Sequence, residues 1–417
     1  MKKWFAIAVC AALVMAISAC SPGAGDGKVQ LTFWVFGSTG YDKLVEEYMK
    51  ENPDVKIKIS TYEFGDHHNN LFTALSTGSG APDLAMVEVG QIDRYRDAQD
   101  KFHNLYDYGA ADVKEEYLDW KWRIGESADG EFLFGLPTDI GPTAMYYRKD
   151  VFEEAGLPSD PKSVSELTET WDKFEETAKT IVKKTGKPMT DNIEITYNAR
   201  LNQFPEQYFN EDEELIIEDS PYAKQAYDHA VQMIQQGLVG SYELWSPEWG
   251  AAMNKGEYAA LLGPSWMQGV IKGNAPGSFK WLIAPTPEGA GNWGGSYITI
   301  PKQTSHPEEA YRFAEWLVSP DNQYQSFKGK GLFPSAPAVY ERDDFKETAD
   351  EYFGGIQTAQ LFAEAAEQVK PVYTGKNYLV VQEEIVKALT NVQKKKADPE
   401  KEWKAAVKRI KGQLDKQ

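Results

Sequence analysis

The stretch GLPTDIGPTAMYYRKD, from Gly135 to Asp150, decides how the rest of the chain is organised. It contains an extended segment, a break rich in proline, aspartate and glycine, a second extended segment and the start of a helix. Proline and glycine at such a break end regular structure and redirect the backbone. This order is typical of a chain that leaves one lobe and enters another, so we predict a hinge here.

The residues before this stretch predict an α/β lobe. Apolar residues alternate over positions 29–35 and 55–59, and a helical spacing runs over 44–49 between them. A strand, a short helix and a second strand imply a parallel crossover. A buried strand is predicted over Leu84–Val89, so both faces of this sheet should be covered by helices.

The residues after the stretch repeat an α/β pattern with more helix. Ser163 and Glu166 form a sequence capping box, which predicts a helix start, and a strand is predicted over Phe279–Ala284. Glycine-marked breaks at Trp293–Lys302 and Gly329–Pro337 predict a second and a third crossing between lobes. Beyond the third break the pattern is helical to the end of the chain.

Composition restricts the possible partners. The chain has 417 residues, of which 42% are apolar, so its length favours two or three domains over one. Its 44 Lys and Arg against 63 Asp and Glu give a net charge of −19, spread along the chain. A negative field of this size repels nucleic acid and anionic membrane surfaces, and neither is expected as a partner.

The N-terminus predicts export. Two lysines precede an apolar run over residues 4–17, and small residues follow, which is typical of a signal segment covering residues 1–19. The segment Ile17-Ser18-Ala19-Cys20 resembles a bacterial lipobox, in which the cysteine is lipidated and becomes the first mature residue. The alternative is an ordinary cleaved signal with an incidental cysteine.

The two cysteines have separate consequences. Cys10 lies inside the signal, so Cys20 alone remains after cleavage, and neither a disulfide within the chain nor a cysteine metal site is expected. Residues 20–27 are small, polar and rich in glycine, the composition of a flexible tether. We therefore expect a folded body held at the outer face of the cell membrane by lipidated Cys20.

Four segments give the chain a resemblance to the family 1 extracellular solute-binding proteins of ATP-binding-cassette sugar importers. They are GLPTDIGPTAMYYRKDVFEEAGLP at 135–158, EYAALLGPSW at 257–266, GGSYITIPKQTSHPEEAYRFAEWLVSP at 294–320 and GLFPSAP at 331–337. Each segment alone is modest, but their order and spacing are specific. The resemblance extends over about residues 28–412.

The resemblance implies an α/β, two-lobe, periplasmic-binding-protein-like fold of type II whose lobes are discontinuous in sequence. The expected N-terminal lobe is 28–138 with 297–335, the C-terminal lobe is 142–292 with 341–417, and the hinge crossings are 139–141, 293–296 and 336–340. Such proteins close around a ligand and present the closed form to the membrane subunits of an importer. A monomer that is not an enzyme and has no cofactor or metal is expected.

A sugar ligand would need two kinds of side chain. Its hydroxyls need carboxylates and amides, and its C–H faces need aromatic plates. Ligands of parallel α/β sheets lie at the carboxyl ends of strands. On these grounds and by family position, the candidate contacts are Ser38, Thr39, Glu88, Gln91, Asp139, Trp249, Ser265, Trp266, Trp293, Gly295, Ser296, Phe333 and Tyr378.

These candidates have simpler interpretations. A tryptophan is often a core side chain, Asp139 suits an Asx turn, and the glycines at 294 and 295 suit a plain turn. Among functions, a polyamine or a peptide would also suit an acidic and aromatic cleft. A secreted glycoside hydrolase would use Glu88 and Asp139 as acid and base, although neither lies in a hydrolase motif.

Overall fold

The computed structural model describes residues 28–370 and 372–416; the predicted signal (1–19) and the whole predicted tether (20–27), including Cys20, lie outside the described residues. The strands are β1 (Val29–Phe36), β2 (Val55–Tyr62), β3 (Leu84–Glu88), β4 (Gly135–Pro137), β5 (Asp139–Ile140), β6 (Thr143–Arg148), β7 (Ala260–Pro264), β8 (Trp281–Ala284), β9 (Ser296–Thr299) and β10 (Phe333–Pro334). They form one five-stranded, one three-stranded and one two-stranded sheet.

Helices surround these sheets. The α-helices are α1 (Tyr41–Glu51), α2 (Phe64–Thr77), α3 (Val89–Ile92), α4 (Asp119–Gly125), α5 (Lys149–Glu154), α6 (Pro161–Leu167), α7 (Trp171–Thr185), α8 (Ile193–Leu201), α9 (Tyr222–Gln235), α10 (Pro247–Lys255), α11 (Met267–Asn274), α12 (Pro307–Leu317), α13 (Pro320–Lys330), α14 (Asp343–Lys346), α15 (Thr358–Gln368), α16 (Tyr378–Lys395) and α17 (Pro399–Leu414). Short 3₁₀ helices cover Asp93–Lys101, Leu105–Tyr108, Ala110–Glu116, Pro337–Val339 and Glu351–Phe353.

The five-stranded sheet has the order β2-β1-β3-β9-β4. β1 pairs in parallel with both β2 and β3, which confirms the predicted crossover. β9 lies antiparallel between β3 and β4 although it comes more than 150 residues later than either strand. Both faces are packed, since β3 directs Met86 into one apolar core and Val87 into another. The first body of the protein is thus a covered α/β sheet.

The three-stranded sheet forms the centre of the second body. β6 lies in the middle and pairs antiparallel with β7 and β8. All six of its residues are buried, with Tyr147 in one core cluster and Tyr146 in the other. A strand covered on both faces is apolar without alternation, as in the sequence TAMYY.

The stretch from Gly135 to Asp150 passes through all three sheets. β4 belongs to the five-stranded sheet, β5 pairs with β10 in the two-stranded sheet, and β6 belongs to the three-stranded sheet. The chain therefore crosses between the two bodies within these residues. β9 and β10 bring the second and third crossings against the first.

The predicted capping box is wrong. Asp160 caps α6 by accepting from the Ser163 N–H over 3.0 Å, and Thr170 caps α7 by accepting from the Lys173 N–H over 3.2 Å. Ser163 is inside the first of two helices because Asp160-Pro161 supplies an earlier and stronger start.

The length and apolar composition of a helix decide whether it can cross a bilayer. Within residues 28–370 and 372–416, none has both the length and the apolar composition required to cross a membrane.

Candidate functional site

Four predicted site residues meet where the ends of three strands converge. Glu88, the last residue of β3, pairs with Ser296, the first residue of β9. The Ser296 N–H donates to Asp139 Oδ1 over 3.1 Å, and the Val89 N–H donates to the Gly295 carbonyl over 2.9 Å. The structure thus brings Glu88, Asp139, Gly295 and Ser296 together at the first two crossings.

Asp139 joins the segment after β4 to the start of β9. Its Oδ1 accepts from the Thr138 hydroxyl over 2.6 Å as well as from Ser296, and the residue is 5% exposed. Burial raises its pKa, whereas the Lys121 ammonium and the Thr138 hydroxyl oppose that rise. The bond to Ser296 joins two crossings, which a local Asx turn would not do.

Glu88 is partly exposed and begins a short helix. Its Oε2 accepts from the Gly90 N–H over 2.7 Å, at the start of α3. The Glu88 N–H donates to His68 Nε2 over 3.2 Å, while His68 Nδ1 lies 2.9 Å from the Phe64 carbonyl. These contacts require a neutral imidazole with its proton on Nδ1. Burial raises the pKa of Glu88 to about 7, opposed first by the Gly90 N–H.

A buried lysine lies beside these carboxylates. Lys121, on α4, is 0% exposed, and its ammonium is 3.9 Å from the centre of the Tyr297 ring. Among the described residues its Nζ has no hydrogen-bond partner. Burial lowers the pKa of Lys121 to about 8, while Asp139 and Glu88 act against this change. The two acids and the lysine therefore form one electrostatic group under the crossings.

The second crossing requires glycine. Gly295 has a φ of +92°, and a Cβ at this position would lie 2.3 Å from the Asp139 carbonyl oxygen. At Gly141 a Cβ would lie 1.9 Å from the Trp293 carbonyl oxygen. The two crossings are in backbone contact, so a side chain at either glycine would force them apart.

Tryptophans line the second body beside the crossings. Trp266 and Trp293 are partly exposed, with ring centres 5.5 Å apart and an edge-to-face arrangement. The Trp266 indole N–H donates to the Trp293 carbonyl over 3.2 Å, and the Trp293 N–H donates to the Gly141 carbonyl over 2.8 Å. Ser265 is 1% exposed, and its hydroxyl lies 3.5 Å from the Ile140 carbonyl. Aromatic surface is thus bonded directly to the segments that connect the two bodies.

Tyr378 forms another part of the wall on the second body. It is partly exposed at the start of α16, and its ring lies 5.2 Å from that of Tyr208. Burial raises its pKa, and the nearby Tyr197 and Glu88 raise it further. We call the region bounded by Glu88, Ser296, Trp266, Trp293 and Tyr378 the cleft.

A short segment bridges the two bodies. Residues 372–377, here called the strap, are attached to the second body because the Tyr373 hydroxyl and the Lys376 N–H both donate to the Glu213 carboxylate. The Thr374 hydroxyl donates to Asp93, which follows α3 in the first body. Lys376 forms an ion pair of 2.5 Å with Asp97. The strap thus contacts both bodies away from the three crossings.

Three predicted contacts lie nearer the edge of this region. Ser38 is exposed, whereas Thr39 is buried and its carbonyl accepts from the Ser326 hydroxyl over 2.9 Å. Gln91 is 7% exposed, and its Oε1 accepts from Arg94 over 2.9 Å.

Two predicted contacts are core residues. Trp249 is 1% exposed and donates its indole N–H to Asp191 over 2.7 Å. Phe333 is 0% exposed and is surrounded by aromatic rings, including Phe327 and Tyr340. Neither ring has surface to offer a ligand, so both are removed from the candidate contacts. The position of Phe333 in the family segment 331–337 reflects core packing and the β5–β10 pairing.

Other exposed or charged groups near the site were not predicted. Phe64 is 46% exposed at the start of α2, and Trp245 is 56% exposed beside Trp266. Lys121 gives no sequence signal, because it lies among apolar and charged residues in DWKWRIG without a motif. Trp245 had one signal, its place just before the Ser246-Pro247 helix start.

Comparisons with known proteins identify the family. Residues 37–324 match the family described as Bacterial extracellular solute-binding protein. The chain belongs to this family. The solute-binding protein is also 32% identical to a solved structure described as Extracellular solute-binding protein family 1, with a TM-score of 0.88, covering 92% of this chain and 99% of that one. An extracytoplasmic location follows from membership.

Two curated relatives have named ligands. The solute-binding protein is 28% identical to the arabinooligosaccharide-binding protein of Bacillus subtilis over 88% of each chain. It is 27% identical to the lactose-binding protein of Rhizobium radiobacter, with 92% of this chain and 91% of the relative covered. Both relatives are named as binding proteins and not as enzymes.

The cleft combines the two chemical features that recognition of a neutral polyol requires. Glu88 supplies oxygen at the end of β3 and Ser296 at the start of β9, and Trp266 and Trp293 supply aromatic surface beside the same crossing. An aromatic ring contacts C–H groups, and a carboxylate accepts hydrogen bonds from hydroxyls.

Proposed function

We propose that this solute-binding protein captures a sugar or oligosaccharide in the cleft by hinge closure and delivers it to the membrane subunits of an ATP-binding-cassette importer. The observation that carries the proposal is the tryptophan pair Trp266–Trp293, which is bonded to the same crossing whose Ser296 pairs with Glu88. The proposed contacts are the accessible candidates Ser38, Glu88, Trp266, Trp293 and Tyr378, together with Thr39, Gln91, Asp139, Ser265, Gly295 and Ser296. The named ligands of the relatives, arabinose oligosaccharides and lactose, support this class.

The lobe boundaries are part of the proposal. An N-terminal lobe of 28–138 with 297–335 would rotate against a C-terminal lobe of 142–292 with 341–417. The crossings at 139–141, 293–296 and 336–340 would bend. The pairing of β4 with β9 and of β5 with β10 supports these positions.

A thermal-shift screen tests the ligand class. The panel would contain arabinose and its oligosaccharides, lactose, galactose, spermidine and a mixed peptide pool. A ligand at 100 times its Kd stabilises the folded state by about 2.7 kcal/mol, which moves a melting temperature measurably. A shift with a saccharide supports the proposal. A shift with spermidine or peptides, and none with any saccharide, would assign the cleft to the other ligand class.

The proposal includes the absence of catalysis. Reducing ends released from arabinose oligosaccharides and lactose would be measured for the wild type, Glu88→Gln and Asp139→Asn. We expect no release above the buffer control. Release that both substitutions abolish would instead make the protein a glycoside hydrolase that uses these two acids.

We also propose that Cys20 carries a lipid anchor. The sequence ISAC at 17–20, the charged start and the glycine-rich residues after Cys20 support it. In cells labelled with a palmitate analogue, the wild type should be labelled and membrane-bound, whereas Cys20→Ser should be unlabelled and released. An unlabelled wild type would favour an ordinary cleaved signal.

A further inference from the structure

An exposed tryptophan with an unfavourable backbone conformation lies next to the cleft. Trp245 has a φ of 67° and is 56% exposed. This left-handed backbone conformation is unfavourable for a residue with a bulky side chain. Glycine and asparagine adopt it far more readily. Exposure of a large indole loses the gain from burying it. A residue that is unfavourable on both counts has to be explained by something other than stability.

The ring of Trp245 extends the aromatic surface of the cleft. Its centre lies 6.1 Å from that of Trp266, and the two planes are only 25° apart. Trp266 in turn contacts Trp293 edge to face at 5.5 Å. The two nearly parallel indoles are stacked, and the exposed part of Trp245 adds aromatic surface to that of Trp266.

The buried carboxyl group of Asp191 supports Trp245 indirectly, through Trp249. Trp245 packs edge to face on Trp249 at 5.2 Å, and the Trp249 indole N–H donates to Asp191 Oδ2 over 2.7 Å. Asp191 is 0% exposed, and among the described residues its Oδ1 has no hydrogen-bond partner. The orientation of Trp249 is therefore set by one hydrogen bond to this buried carboxyl group.

A simpler role for Trp245 is that of a hydrophobic staple at the start of α10. Ser246 is the N-cap and accepts from the Trp249 N–H over 3.2 Å, so Trp245 is in the staple position. A staple stabilises by burying its side chain against the first turn of the helix. Trp245 leaves more than half of its surface in solvent, so the staple explains only the part that touches Trp249.

We propose that Trp245 contacts the ligand and, with Trp266, forms a platform for two successive rings of an oligosaccharide, and that Asp191 is a positioning residue that orients this platform through Trp249. The inference rests on the proposed function and deepens it, because it makes the preferred ligand a chain of at least two sugar units. A single ring occupies Trp266, and the next ring contacts Trp245.

Trp245→Gly tests the platform, with Phe279→Gly as a matched control. Phe279 is also exposed, at 55%, with a φ of 47°, but it precedes β8 at the end of the strand away from the hinge and packs on Tyr352. Each substitution relieves the same type of backbone strain. We expect neither variant to melt below the wild type by more than a few degrees.

Affinities would be measured by calorimetry for arabinose, arabinobiose and arabinotriose, and for galactose and lactose. We expect Trp245→Gly to weaken binding of the two- and three-unit probes by about 5- to 150-fold, the range for losing one base stacked on an aromatic side chain. Its affinity for a monosaccharide should change by less than about twofold, and Phe279→Gly should change neither. Equal losses for short and long probes, or no loss, would overturn the platform while leaving sugar binding intact. If no saccharide binds the wild type, the proposed function itself fails.

The positioning role has its own readout. Trp249→Phe removes the indole donor and keeps an aromatic ring, and Asp191→Asn keeps an acceptor for that donor. We expect Trp249→Phe to reduce the ratio of trisaccharide to monosaccharide affinity and Asp191→Asn to preserve it. A merely structural role would lower the melting temperature without changing this ratio, and that outcome would overturn the assignment of Asp191.

Discussion

Removal of one hydroxyl from the strap should favour the open form of the protein. In Thr374→Val, a methyl group replaces the hydroxyl that donates to the Asp93 carboxylate, and the shape of the side chain is kept. Asp93 retains its ion pair with Arg96, whose Nε lies 2.6 Å from Asp93 Oδ1, so the first body should keep its local structure. The strap also keeps its attachment to Glu213. The substitution thus removes a contact between the bodies and little else.

The size of the effect follows from the burial of the carboxylate. The Asp93 side chain is 1% exposed, and a hydrogen bond to a charged group contributes about 1.5–3 kcal/mol. When the bodies separate, water replaces part of this hydrogen-bond contribution. We therefore expect Thr374→Val to make the closed form about 1–2 kcal/mol less stable relative to the open form, which lowers ligand affinity roughly 5- to 30-fold. The Lys376–Asp97 pair is 39% and 74% exposed, and a pair so accessible contributes only about 0.2–1 kcal/mol. Lys376→Ala should therefore lower ligand affinity less than Thr374→Val does. At high salt, where the ion pair is screened, Lys376→Ala should have no effect on affinity.

Two measurements check this expectation. The dissociation rate of arabinotriose or lactose should rise in Thr374→Val, because the broken contact exists only when the bodies meet. Small-angle scattering without ligand should show a larger radius of gyration. Thr374→Ser, which keeps the hydroxyl, should behave as the wild type in both. If Thr374→Val matched Thr374→Ser in affinity and in radius, the strap would not contribute to closure.

Two further predictions concern the crossings. Since the pKa of Glu88 is about 7 against an ordinary 4.5, the folded state binds more protons than the unfolded state in this window, and the contribution of Glu88 to stability falls as pH rises from about 4.5 to 7. In urea unfolding, the free energy of unfolding of the wild type should fall by on the order of 1–3 kcal/mol relative to that of Glu88→Gln across this pH window. A difference between the two proteins that does not change with pH would contradict the raised pKa of Glu88. Gly295→Ala should destabilise by at least about 1 kcal/mol and weaken ligand binding, because its Cβ would meet the Asp139 carbonyl. Gly329 lies in α13 with open space around it, so Gly329→Ala should stabilise the protein slightly. Equal changes in stability for Gly295→Ala and Gly329→Ala would refute the steric argument.

The parts of the fold that local pattern determines were predictable. Alternation and helical spacing over residues 29–59 predict the parallel β1–β2 pair, because both strands and their crossover are adjacent in sequence. The breaks at Gly135–Asp150 and Trp293–Lys302 predict crossings because glycine and proline act on their own backbone. The antiparallel insertion of β9 between β3 and β4 was not predicted, since strand pairing across such a distance leaves no local signal.

Side-chain roles were harder to predict. Trp245 and Trp249 lie four residues apart at the start of α10, yet Trp245 is 56% exposed and Trp249 is 1% exposed. Asp191, which lies 58 residues before Trp249, decides which of them is core, and no pattern in the sequence joins the two. The strand predicted from Phe279 begins at Trp281 because Phe279 has a φ of 47°, which no strand residue adopts. Long-range partners and left-handed backbone thus limit what sequence can reveal about the site.

The hydrogen bonds among the crossings link contact with a ligand to bending of the proposed hinge. The Thr138 N–H donates to the Ser296 carbonyl over 2.9 Å, and the Trp293 N–H donates to the Gly141 carbonyl over 2.8 Å, so the first two crossings are bonded at both ends. They must then bend together, because sliding one past the other would break both bonds. The Trp266 indole donates to the carbonyl of Trp293 within the second crossing. A sugar ring that reorients Trp266 would therefore act on a hinge strand through a single hydrogen bond, which places recognition and closure on the same few residues.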